Sequence, residues 1–337
     1  MADKSKPTAN CSVDMASTTT SSIPVVAADG EKILIPGMVD LSKDANDNDP
    51  EEDGDDITPW FSLAQKAGFQ NGRYPETEQD LKKADEILSK ELANLSMGEH
   101  EEVMFDVVGF RHVEEEDDTF LNTKLSELDR HLHKISPIKK RAYEAACKLN
   151  PAYVQGRKLR LAFLRSQRMN PRKTAKVIIS HFEMKQKVFA KHPLEVLARE
   201  IKFKDLSPDA QDFVKAGYLQ VSPSKDAAGR FVVFFAAGLK KYNTVESFYQ
   251  AYWYFCDCLS RNEEIQRNGI VTVMYSRGCH EKLEVALALH SINYCACSFE
   301  FCGLHWCDAT WSMRFFLAAQ KLYMDRFTRF RLQEHSG

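Results

Sequence analysis

Residues 231–237 are seven consecutive apolar residues, FVVFFAA, bounded by Gly229-Arg230 before and Gly238 after. The stretch from Phe231 to Leu239 is the longest apolar run in the chain and is far too short to cross a bilayer. Its β-branched and aromatic residues read as a core strand covered on both faces. Ile270–Tyr275 and Phe299–Cys307 repeat the pattern. Helical stretches separate these strands. Thr244 caps an aromatic helix that ends near Asn268-Gly269, a second helix spans about 280–293, and a third runs from Ala309 to Met324. Phe327–Gln333 alternates, with Phe330 and Leu332 opposite Arg329 and Arg331, and reads as a last strand. Tyr218–Val221 and the turn-rich loop Ser222–Gly229 form a hairpin with the 231–237 strand, which makes the sheet mixed. The fold class is therefore α/β, with helices flanking a mixed sheet.

Upstream the period is helical. Ser136-Pro137 opens a helix that Asn150-Pro151 ends, and Arg157–Gln167 follows. Asn170-Pro171 opens another, whose Ala175, Ile178, Ile179, Phe182, Val188 and Phe189 keep helical spacing. A short helix covers Leu194–Ile201. Before these, a weakly periodic segment at 58–135 holds a helix near Glu76–Asn94 and an acidic cluster at Glu114–Asp118, with no role assigned. Residues 1–57 are rich in Ser, Thr, Asp and Asn and end in the acidic block Asp47–Asp56. They hold too little apolar surface to offset the entropy of ordering and read as a disordered acidic tail.

Hydrophobic residues at 44% and charged ones at 28% are a soluble globular balance. A net charge of -3 identifies no partner. The polar start lacks the apolar core of a secretory signal, and nine irregularly spaced cysteines fit a reducing compartment. A cytoplasmic location follows as the expectation.

Three groups of residues resemble a known family. Leu161-Ala162-Phe163-Leu164-Arg165, then Arg168-Met169-Asn170 and the Lys176-Val177 helix, resemble the N-terminal helices of CRAL-TRIO lipid-binding domains. Gly217-Tyr218-Leu219, then Asp226-Ala227-Ala228-Gly229-Arg230-Phe231-Val232-Val233, resemble the beginning of that family's strand. Gln266-Arg267-Asn268-Gly269-Ile270-Val271-Thr272-Val273 resemble its next strand. The pieces keep the family's order and spacing over about residues 140–337.

The resemblance implies a helical lobe at 136–210 packed on a lipid-binding lobe at 211–337, whose sheet floors a hydrophobic cavity. A mobile gate helix would cover the mouth, and residues 309–326 hold its position. Members of the family carry phosphatidylinositol, phosphatidylcholine, tocopherol or retinoids between membranes. The chain departs from the pattern in three places. It stops at Gly337, where the family continues with a further helix. Met274-Tyr275 stands where the strand often carries Asp. The Glu and Lys that hold a phosphoinositide headgroup in some members have no match, Lys321 being out of register. An apparently truncated pocket wall and an open headgroup identity follow.

On this reading the ligand-binding residues are Phe231, Val233 and Phe235 or their opposite-face neighbours, Val271 and Val273, Tyr252 of the aromatic helix, and Phe315, Phe316 and Leu317 of the gate. Both strand faces are apolar, so the sequence does not choose between them. The aromatic helix carries Phe248, Tyr249, Tyr252, Trp253, Tyr254 and Phe255, more than one core-facing stripe holds. The surplus faces either a ligand cavity or the helical lobe.

Residues 139–176 hold twelve Lys or Arg against Glu144 alone. They form a solvated helical face or a patch for anionic headgroups. Without interleaved aromatics they do not point to nucleic acid. Cys295, Cys297, Cys302 and Cys307 with His305 lack the paired knuckles of a zinc site and read as buried thiols, so no metal and no cofactor is expected. No G-x-S-x-G, G-x-G-x-x-G or phosphate-loop motif occurs. His280-Glu281 lacks the second histidine of a zincin, and Cys279 and His280 diverge on a helix. The expected function is binding, and transfer between membranes, of a lipid or other small hydrophobic molecule by a protein that is not an enzyme. The alternative is a scaffold that keeps the fold without transferring a ligand.

Overall fold

The computed structural model describes residues 77–109, 116–236, 244–277, 297–309, 311–323 and 326–335. The tail expected over 1–57 and the helix expected at 280–293 lie outside them.

Two helices open the described chain, α1 (Glu78–Ala93) and α2 (Met97–Val108), each begun by a capping box, Thr77 with Asp80 and Ser96 with Glu99. Asp117 caps α3 (Asp118–Lys134), and α4 (Arg141–Leu149), α5 (Pro151–Val154), α6 (Arg157–Ser166) and α7 (Pro171–Val188) follow. Leu121, Leu125, Leu128 and Leu132 of α3 keep helical spacing and pack with Ile178 and Phe182 of α7 in one core. The helical lobe therefore takes its first helix from the segment that had no assigned role. Asn170 accepts from Lys173 N, with Pro171 in the first turn, as its sequence predicts. The short helix expected at 194–201 is a 3-10 turn, Leu194–Ala198, because Arg199 is extended and its guanidinium clamps Asp205 at 2.6 Å.

The second lobe runs α8 (Pro208–Lys215), β1 (Leu219–Lys225), β2 (Phe231–Phe235), α9 (Val245–Ser260), α10 (Glu263–Asn268), β3 (Ile270–Tyr275), β4 (Phe301–Cys307), α11 (Trp311–Tyr323), α12 (Arg326–Arg331) and β5 (Leu332–His335). The sheet order is β1-β2-β3-β4-β5, with β1 antiparallel to β2 and the other neighbours parallel. The aromatic helix is two helices, because Asn262 turns its side chain onto the amides of Glu264 and Ile265 and starts α10. The strand expected at 327–333 is mostly helix α12. Arg329 and Arg331 are buried there, not solvent-facing, because each meets a carboxylate, Glu91 at 4.0 Å and Asp106 at 2.5 Å.

The two sheet faces differ. Val233, Phe235, Ile270, Met274, Leu304 and Trp306 point inward into one core with α9 and α11. Phe234 pairs with Val273, which pairs with His305, so these share the outward face. Phe234 is 48% exposed and Tyr275 37%. Among the described residues the outward face is covered less fully than the inner one, with Val271 and Gly303 buried on it and Phe234 and Tyr275 exposed. The helices of the two described crossovers, α9 and α11, both pack on the inner face.

Buried charge joins the lobes at the beginnings of the parallel strands. Asp106 of α2, 1% exposed, accepts from Arg331 ahead of β5 and Arg168 after α6, and its backbone oxygen accepts from Arg230 ahead of β2. Glu300, ahead of β4, binds Arg168 at 2.7 Å and Arg331 at 2.8 Å. Arg165 of α6 holds Glu116 through two nitrogens at 3.0 and 2.7 Å, Gln266 at 2.8 Å and Glu263 at 2.9 Å. Removing the Asp106 carboxylate leaves Arg168 and Arg331 to share Glu300 alone. Asp106→Ala is expected to lower unfolding stability by about 3–5 kcal/mol, read as a fall in the urea midpoint. A midpoint equal to that of the unmodified chain refutes the junction's role.

Candidate functional site

The outward face is a shallow apolar floor. Val232 and Phe234 of β2, Val271, Val273 and Tyr275 of β3 and Gly303 of β4 lie on it by register. Gly303 leaves the middle of β4 without a side chain. A Cβ there would sit 3.2 Å from His305 Nε2 and 3.6 Å from Val271 Cγ1. One edge of the floor is polar: His305 Nδ1 and His335 Nε2 stand 2.8 Å apart with the rings stacked at 21°. Burial, then His335, then Arg230 hold the His305 imidazole below its ordinary value of 6.5.

The residues expected to bind ligand divide three ways. Val233 and Phe235 are buried in the inner core, with Phe231 packed against it, and Phe235 stacks on Phe248 at 6.2 Å. Tyr252 and Leu317 join the same core. Val271 and Val273 belong to the outward floor. Phe315 faces away from both, packed with Leu81 and Ala84 of α1. The Phe316 side chain lies outside the described residues.

Helix α11 is thus held from two sides. Met313 and Leu317 enter the inner core, while Phe315, Ala318 and Leu322 pack on α1. The position expected for a gate is therefore packed on two sides. The surplus aromatics of α9 go to the helical lobe: Trp253 lies 5.2 Å from His181 and 6.3 Å from Phe189.

Two surface clefts lie away from the expected ligand residues. An open one of about 910 Å³ between α1 and α11 is lined by Glu78, Lys82, Asp85, Arg314, Lys321 and Glu334 and touches none of the expected ligand residues. A second, of about 480 Å³, lies in the helical lobe between Asp129, Lys140, Tyr143 and Arg160. Of the basic cluster, Arg157, Arg160, Arg165 and Arg168 are engaged by Asp118, Asp129, Glu116 and Asp106, whereas Lys139, Arg141 and Lys148 are exposed. Cys256, Cys297 and Cys302 are buried and not in disulfides, and no group of three metal-ligating side chains forms among the described residues. No described helix is long and apolar enough to cross a membrane.

Phe234, Gly303 and His335 were not singled out in the sequence, and Tyr275 and His305 were named there only for other reasons. The run FVVFFAA gives no parity, so the outward residues emerge only from the register that places Phe235 on Phe248. No protein-family model and no curated protein matches the chain. The CRAL-TRIO resemblance therefore rests on the quoted motif residues alone.

The histidine pair sets a pH dependence. A histidine whose folded pKa is depressed contributes stability that is present above the unfolded value of 6.5 and is lost as pH falls through the folded value. Protonation places a charge against His335 at the sheet edge. Amide protection in β5 is expected to drop as pH falls below 6.5, with the drop weakened in His335→Gln. Hydrogen exchange corrected for intrinsic rates measures it, and protection that stays level to about pH 5 contradicts it.

Proposed function

We propose that the chain binds a hydrophobic small molecule, a lipid by class, with the outward sheet face as its floor. The observation that supports this most is the pair of large side chains left partly in water on a core strand pair, Phe234 and Tyr275, beside Val232 and Val273. Covering such surface with an alkyl chain contributes about 0.8 kcal/mol per buried CH₂. The polar edge at His305 and His335 gives a headgroup hydrogen-bonding partners. The order of motifs shared with CRAL-TRIO domains points to the same ligand class. It places the ligand over a sheet, and here the inner face is already filled by α9 and α11.

Carriage between membranes is the proposed use of the site. A protein that holds a lipid chain over an open floor exchanges it at a bilayer without unfolding its core. No acid, base or nucleophile is assigned, and the reading is of a binder, not an enzyme.

Native mass spectrometry of the chain purified from cells tests the reading, with an added lipid mass expected and repeated empty protein against it. Substitution locates the site. Phe234→Asp is expected to leave the melting transition near that of the unmodified chain, because the side chain is already half in water. It should cut binding of fluorescent phosphatidylcholine at least about tenfold, since it sets a charge in the path of an alkyl chain. Phe235→Ala, in the core, is expected to cost about 3–5 kcal/mol of stability. Undiminished lipid binding by a folded Phe234→Asp variant removes the outward floor from consideration.

A further inference from the structure

Helix α2 has its apolar stripe on the wrong side for a helix held only by its own fold. Its inner face carries Val103 and the ion-paired Asp106. Its outer face carries Met97, Met104, Phe105 and Val108, spaced i, i+7, i+8 and i+11 on one side of the helix. Met97 is 79% exposed, and the other three are about half exposed. The exposed Glu101 lies within the stripe. Anchors at this spacing are those of a helix seated against another protein element. A helix that lies in a bilayer surface carries Lys and Arg along its polar flank, whereas α2 presents Glu99 and Glu101.

The complementary surface is on the same chain. The turn before α4 and the outer side of α4 expose Ile138, Arg141, Lys148 and Leu149, spaced i, i+3, i+10 and i+11, with Ala145 between them and Lys139 alongside. Ile138 is 70% exposed. The first stripe covers eleven residue steps of helix, about 16 Å, and the second covers as many residues, of which Arg141–Leu149 are helix. One is apolar with an acid at its middle, and the other is apolar at its two ends with bases between. Neither stripe is used by the junction of the lobes or by the outward sheet floor.

We propose that α2 of one copy docks on the Ile138–Leu149 face of a second copy of this chain. Glu101 then meets Arg141 or Lys148, and Met104, Phe105 and Val108 cover Ile138 and Leu149. Two such contacts made reciprocally close a two-fold dimer. A single helix pair buries less than the about 800 Å² per partner of a standard interface, so the association is weak and depends on concentration.

Sedimentation equilibrium of the full chain over a wide concentration range tests this. The unmodified chain is expected to self-associate. The double variants Met104→Glu/Phe105→Glu and Arg141→Glu/Lys148→Glu are each expected to weaken association at least about tenfold, with melting transitions near that of the unmodified chain because every altered side chain is exposed or half-exposed. Val108→Gln and Ile138→Gln serve as milder versions should a double variant fail to fold. Adding Glu101→Lys to Arg141→Glu/Lys148→Glu restores part of the association by exchanging the charges. A chain that stays monomeric at every concentration overturns the proposal. So does association that either folded set of variants leaves unchanged. A monomeric chain whose α2 stripe instead drives sedimentation with phosphatidylcholine vesicles overturns it in favour of a bilayer.

Discussion

Five arginines and five carboxylates meet where the parallel strands begin, and the relative placement of the two lobes depends on them. Arg165, Arg168, Arg230, Arg267 and Arg331 face Asp106, Glu116, Asp226, Glu263 and Glu300. Burying a guanidinium is costly, and attraction offsets the cost only when the remaining donors also find acceptors. Arg165 meets that condition by spreading its bonds over Glu116, Glu263 and Gln266. The chain around these groups is shaped to bring them in. Arg168 and Met169 take left-handed backbone, at φ 52° and 55°, to leave α6. Gly269, at φ 69°, has no room for a side chain, since a Cβ would meet Cys302 Sγ at 2.5 Å and Glu300 O at 2.7 Å. The motif residues that carry the family resemblance, Arg165, Arg168, Asp226, Arg230 and Gln266, are the junction. What they encode most directly is how one lobe sits on the other.

The open sheet face follows from the topology. The strands lie in chain order, and parallel crossovers keep one hand, so successive connections advancing in one direction all fall on the same side. Both described crossovers obey this: α9 and α11 pack on the inner face. Neither of these two described crossovers supplies a helix to the outward face. Asp106 brings α2 against β4 and α12 at the beginnings of the strands, which leaves the middle and far end of the floor, at Phe234 and Tyr275, partly in water.

Most of the architecture was legible because it rests on local chemistry. Asn170-Pro171, the Thr244 cap and the apolar strands each act within a few residues of themselves. What was not legible depends on partners distant in sequence. The Phe-Arg alternation at 327–331 reads as a strand with its arginines in water. It is a helix with Arg329 and Arg331 buried, because Glu91 and Asp106 arrive from more than two hundred residues upstream. The same distance hid the place of α3, whose leucines make sense only beside α7. Of the candidate site, Phe231, Val233 and Phe235 were grouped with Val271 and Val273, which the register puts on the opposite face, because the run FVVFFAA carries no parity and Phe248 over Phe235 comes from another element.

That filling decides where a hydrophobic ligand fits with least disruption. A cavity on the inner face requires Phe248, Tyr252 or Trp253 to leave a packed core, at about 3–5 kcal/mol for each aromatic side chain lost from it. Trp253 also ties α9 to His181 and Phe189 of the helical lobe, so moving it loosens contacts on both sides. Swinging α11 aside meets the same obstacle, since Phe315, Ala318 and Leu322 must part from α1 while Met313 and Leu317 leave the core. The outward floor requires none of these rearrangements. Its aromatic side chains already stand partly in water, and a ligand that covers them gains contact without displacing a packed group.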